Sequence, residues 1–119
     1  MVVHVVLFRP KADRRAGADE DLADSMMQAA AAIPSVRNVR VGQRVLTGRP
    51  YELLMSEAYT HLALIEFDDR VGLRTYLDHP DHVTLAERFF EAVEVALVYD
   101  YETTTDPRSL LDESSSAKG

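Results

Sequence analysis

Val2-Val3-His4-Val5-Val6-Leu7-Phe8 decides how this chain folds. β-branched and aromatic side chains fill both alternating faces, the pattern of a central strand covered on both sides. One polar residue interrupts it. His4 shares a face with Val6 and Phe8, and burying an imidazole there is costly unless it finds a partner. The position therefore reads as a pocket floor or a buried hydrogen bond across the sheet.

Working outward, Asp13 to Ala18 is a polar loop, and a helix is expected from Asp19 to Ile33. Leu22, Met26, Ala29, Ala30 and Ile33 fall on one stripe at spacings of three and four. Asp19, Glu20 and Asp21 suit the positive end of its dipole, and Pro34 closes it. Val36 to Leu46 alternates Val39, Val41 and Val45 against Asn38, Arg40 and Arg44, as in a half-exposed strand. Residues 47–58, with Gly48 and Pro50, read as a long loop with room for a short helical turn. Tyr59 to Phe67 is a third strand, followed by Asp68 and Asp69 as candidate helix caps.

Arg70 to Asp78 and Asp81 to Ala92 are short helices, the second with Val83, Ala86, Phe89 and Phe90 expected inward. Val93 to Tyr101 is a fourth strand, apolar on one side through Val95, Leu97 and Tyr99. The order strand, helix, strand, strand, helices, strand is that of an α+β, ferredoxin-like fold, a four-stranded antiparallel sheet with helices on one face. The domain is expected over residues 1–102, with 103–119 as a flexible tail. One helical layer covers one sheet face only, yet the first and fourth strands are apolar on both. The remaining face is expected to meet a second copy, giving a homodimeric α/β barrel.

Tyr76-Leu77-Asp78-His79-Pro80-Asp81-His82 joins the two short helices. Proline disfavours helical geometry in the residue before it and suits the first position of a helix. His79 is thus expected as an N-cap, with His82 in the first turn that follows. The helix N-terminus lowers the His82 pKa from about 6.5, while Asp81 works against it. Neutral imidazole there is a candidate general base. Tyr76 is either a core aromatic or a hydrogen-bond donor to a carbonyl or enolate oxygen.

Several functions are disfavoured. A net charge of −7 speaks against a nucleic-acid partner, and no apolar run approaches membrane-spanning length. With no cysteine there is no disulfide, thiol nucleophile or thiolate metal site. Only four histidines are present, and His61 is expected to alternate away from the others, so no metal and no cofactor is expected. Arg37, Arg40 and Arg44 read as solvated edge protection rather than phosphate capture. The chain opens directly on its first strand without a basic lead, so a cytoplasmic protein is expected.

His4-Val-Val-Leu-Phe, Ile33-Pro34-Ser35-Val36, Tyr59-Thr60-His61-Leu62-Ala63-Leu64, Tyr76 to Val83 and Val98-Tyr99-Asp100-Tyr101 together resemble the stress-responsive dimeric A/B-barrel (Dabb) domain family. The resemblance spans residues 2 to about 102, and the tail has no counterpart in it. It implies a dimeric α+β barrel, and it implies no single function. Some members resemble cofactor-free polyketide cyclases, in which the tyrosine and second histidine of this motif form an acid/base pair near a strand histidine. By that likeness the catalytic roles fall on Tyr76, His82 and His4.

The expected function is a homodimer that binds a small apolar or aromatic molecule, with cofactor-independent cyclase-like lyase or isomerase activity if it is an enzyme. The alternatives are a non-catalytic, stress-associated structural or binding module and a cofactor-free monooxygenase.

Overall fold

The computed structural model describes residues 1–111. Its elements are β1 (Val2–Pro10), α1 (Ala18–Ala32), β2 (Asn38–Gln43), β3 (His61–Phe67), α2 (Arg70–Asp78), α3 (Pro80–Ala92) and β4 (Val93–Glu102). The strands form a four-stranded sheet in the order β2-β3-β1-β4, with every neighbouring pair antiparallel. This is the ferredoxin-like arrangement expected above. The molecule measures only 19 Å through its thinnest direction, about the depth of one sheet and one helical layer.

Alternation in β1 sorts the sheet into two faces. Val2, His4, Val6 and Phe8 pair with Phe67, Ile65, Ala63 and His61 of β3 on the helix-covered side. The core sits there: Val6, Ala29, Ile33, Ala63, Ile65, Phe67, Tyr76 and Leu85 form one buried cluster. Phe67, Ile33 and Ile65 are its largest fully buried side chains. On the opposite side Val3, Val5 and Leu7 meet Glu66, Leu64 and Leu62 of β3, and Tyr101, Tyr99 and Leu97 of β4. Among the described residues no helix lies on this second face, and Tyr99 and Tyr101 remain exposed.

Local chemistry sets the helix boundaries. Gly17 takes the left-handed φ of 87° at the start of α1, a conformation costly for residues with a Cβ. Asp69 caps α2 by accepting from the Gly72 amide at 2.8 Å. His79 ends α2 and caps α3, its Nδ1 accepting from the Asp81 amide at 3.0 Å. The helix that follows runs into β4 with no linking residue, and the Lys11 amide holds the Ala92 carbonyl at 2.8 Å.

Several expectations change. In α3 the buried residues are Leu85 and Ala92, whereas Val83 and Phe90 are exposed. Starting from Pro80, the inward stripe runs through His82, Leu85, Ala86 and Phe89. Val83 and Phe90 stand about 100° further round the helix. β2 is shorter than its valine pattern suggests, and Val41 and Val45 are exposed because the helical layer does not reach this edge. His61 does not alternate away, since it shares the helix-covered face and stacks on Phe8 at 5.3 Å. The long loop carries a 3-10 turn at Pro50–Leu54. Of the expected tail, Pro107–Leu111 also forms a 3-10 turn, and residues 112–119 lie outside the described residues.

Phe67 is fully buried at the meeting of sheet and helices. Phe67→Ala is expected to cost about 3–5 kcal/mol, against about 1 kcal/mol for losing the helix cap in Asp69→Ala. Urea unfolding of both variants measures the difference, and equal losses would contradict this placement of the core.

Candidate active site

Between the helix-covered face and the helices lies an apolar cavity of about 360 Å³. Its floor is His4, Val6, Ala63 and Ile65, and its roof includes Met26, Leu85 and Phe89. Tyr76 and His82 also line it, so the three residues singled out in the sequence share one chamber.

The junction after α2 makes this convergence possible. Tyr76 lies on the last turn of α2 and His82 on the first turn of α3, and the extended His79-Pro80 step folds one turn back beside the other. The two rings meet edge to face with centroids 4.7 Å apart. Tyr76 also meets His4 edge-on at 5.9 Å and Phe67 at 5.3 Å. The phenol ring is therefore the middle member, with one imidazole on either side. His79 takes no part in the chamber, its ring nitrogen being engaged in the cap.

His4 is only 6% exposed and is the buried polar residue of the core among the described residues. Its Nδ1 hydrogen-bonds Asp100 Oδ1 at 2.5 Å, across the β1–β4 pairing that sets the two residues opposite each other. Asp100 was not singled out in the sequence. The signal was present: a carboxylate on the helix-facing side of the last strand, opposite a buried histidine once the antiparallel register is drawn. Both readings of His4 hold together, since it lines the cavity and makes a cross-strand hydrogen bond.

Electrostatics separate the groups. Burial pushes the Tyr76 hydroxyl up to about 12, so it remains a hydrogen-bond donor across the physiological range. Burial chiefly lowers the His82 pKa, and the neighbouring His4 lowers it further, against the pull of the Leu77 carbonyl. The sequence sets the helix terminus against Asp81 without deciding between them; the structure lowers the value through burial and His4 instead. Near neutral pH the chamber thus holds an unprotonated imidazole beside a protonated phenol.

Tyr76 Oη has no hydrogen-bond partner among the described residues, and no fully sealed side-chain nitrogen or oxygen there lacks one. The hydroxyl accordingly retains access to open space although the residue is 3% exposed. Among the described residues no three histidine or acidic side chains converge as a metal site. No helix there is long and apolar enough to cross a membrane.

Comparison with curated proteins finds no match. Among solved structures, an Arabidopsis thaliana protein is 24% identical, with 89% of this chain and 98% of that one covered and a TM-score of 0.74. A hydroxynitrile lyase from Passiflora edulis is 18% identical, covering 88% and 94%, with a TM-score of 0.73. A dimeric ferredoxin-like protein of unknown function from Thermobifida fusca is 22% identical, covering 86% and 90%, with a TM-score of 0.65. Such likeness establishes the shared fold. Residues 2–103 match the Stress responsive A/B Barrel Domain, and the chain belongs to that Dabb family.

Proposed function

We propose that this protein binds a small, largely apolar organic molecule in the chamber and abstracts a proton next to its carbonyl group without a cofactor. The observation that carries the reading is the convergence of His4, Tyr76 and His82 on one apolar cavity of about 360 Å³. Apolar walls with a few aimed polar groups are the usual construction of a small-molecule site.

In this reading His82, held neutral by burial, takes the proton from carbon. Negative charge then develops on the carbonyl oxygen, where the Tyr76 hydroxyl donates a hydrogen bond. Its raised pKa keeps that donor protonated while the charge forms. His4 orients the guest from the sheet side. The resulting enolate takes the proton back from His82 at a different atom in an isomerisation, or attacks a second carbonyl carbon of the same molecule in a cyclisation, where the C=O π bond opens to an alkoxide that receives the proton held by His82. Lyase chemistry is also represented on this fold, by the Passiflora edulis enzyme.

The second sheet face supports a homodimer. Val5, Leu64 and Tyr99 lie side by side at its centre, and a contiguous apolar surface of this kind is seldom left in water. A second copy applied sheet to sheet covers it and closes the barrel. The dimeric Thermobifida fusca protein of like fold is consistent with this assembly. A non-catalytic binding module is favoured by one observation, the membership of Tyr76 in the packed core cluster.

Three outcomes are expected. Deuterium uptake at the α-carbon of an apolar aryl ketone, followed by NMR in D₂O, is accelerated by the wild type. His82→Ala lowers that rate by about 10²–10⁴-fold and Tyr76→Phe by roughly 10²-fold. Unaltered exchange in the His82 variant, with the fold intact by circular dichroism, refutes the assignment and favours the binding module.

The pH profile of the same rate falls on the acid side, because a base must be unprotonated to act. Its midpoint lies below the ordinary imidazole value of 6.5. No basic limb belongs to Tyr76 until pH nears 12. A midpoint at or above the ordinary value would exclude His82 as the base.

Light scattering is expected to give a dimer for the wild type, and Leu64→Glu, at the centre of the apolar face, a monomer. A wild type that stays monomeric at micromolar concentration removes the barrel.

A further inference from the structure

The His4–Asp100 hydrogen bond crosses the wall between two cavities. His4 lines the apolar chamber, whereas Asp100 lines a separate groove of about 620 Å³ with Arg70, Leu73, Arg74 and Thr103. The Asp100 side chain is 39% exposed, so its carboxylate is solvated from the groove side. Arg70, which lines the same groove, is engaged with Glu102 at 2.9 Å. A carboxylate only accepts hydrogen bonds when ionised, so the nitrogen facing it must carry hydrogen.

This has a chemical consequence for the chamber. A neutral imidazole has one N–H, and a donor Nδ1 leaves Nε2 as a bare acceptor. Among the described residues His4 Nε2 has no hydrogen-bond partner, and no fully sealed side-chain nitrogen or oxygen lacks one. It therefore keeps access to open space, and the space His4 lines is the apolar chamber. Tyr76 on the same chamber is a donor at physiological pH. The chamber thus holds an acceptor on the sheet side and a donor on the helix side.

We propose that Asp100 is a positioning residue that locks His4 in its Nδ1–H form, so that the chamber selects apolar guests carrying a hydroxyl or enol O–H to donate to Nε2. The inference rests on the binding reading of the chamber and specifies the chemistry of its guest. It requires a hydroxylated molecule whose second oxygen, where present, accepts from Tyr76. A methyl ether or a hydrocarbon of the same shape leaves Nε2 unsatisfied on binding, which is penalised.

Two measurements test it. Nitrogen-15 NMR of the histidine rings in the wild type at neutral pH is expected to show His4 Nδ1 protonated and Nε2 bare, and a doubly protonated ring overturns the proposal. The opposite tautomer overturns the proposal whatever the chamber binds. Titration with 2-naphthol and 2-methoxynaphthalene is then expected to favour the naphthol by roughly tenfold in the wild type. In Asp100→Ala, with its fold checked by circular dichroism, that ratio falls towards one and the His4 tautomer shifts to Nε2–H.

A purely structural Asp100 would weaken both probes alike and leave the ratio unchanged, which overturns the proposal. Equal affinities in the wild type do the same. The catalytic reading fails separately: a chamber that prefers naphthol yet never accelerates deuterium uptake leaves the selectivity standing and removes only the chemistry.

Discussion

A single sheet with two apolar faces and helices enough for one is the constraint on which this molecule turns. The helix-covered face takes Phe67, Ile65 and Ile33 into a dry core, where apolar burial supplies most of the stability. The bare face carries Val5, Leu64 and Tyr99, with no helix of the described residues upon it. The same economy of layers explains the cavity. The helices α1, α2 and α3 converge over the sheet without filling the space against it. The room left beneath them is where His4, Tyr76 and His82 meet.

The site inherits its properties from that position. Water is scarce, so the imidazole of His82 loses its proton easily and the phenol of Tyr76 keeps its own. Neither shift needs an added charged group, because desolvation leads in both. His4 is the exception, a polar side chain inside the core whose burial is made tolerable by Asp100 on the adjoining strand. The pairing register of β1 with β4 is therefore as much part of the site as the side chains are.

Much of this was legible in the residues alone. The strand order, the caps at Asp69 and His79, and the nearness of Tyr76 to His82 follow from short-range rules of alternation, proline geometry and helix capping, whereas the addition of His4 to that pair comes from the family resemblance. What escaped depended on distance or phase. Asp100 gains meaning only from a partner 96 residues away. Val83 and Phe90 were assigned inward because apolar type alone does not settle helix phase, and the start at Pro80 moves them to the exposed side. Val41 shares a face with Val39 but lies past the reach of the helices, which a one-dimensional pattern does not reveal. His61 was set aside on an alternation count that neglected its companions Ala63 and Ile65.

The seamless passage from Ala92 into Val93 matters for how the chamber opens. Without slack between them, the helix bearing His82 and the strand bearing Asp100 behave as a bent bar pinned at its elbow by Lys11. The α3 part of the roof cannot swing away without prising a strand from the sheet. Phe90, exposed at the rim of the chamber, can rotate while that backbone frame stays at rest.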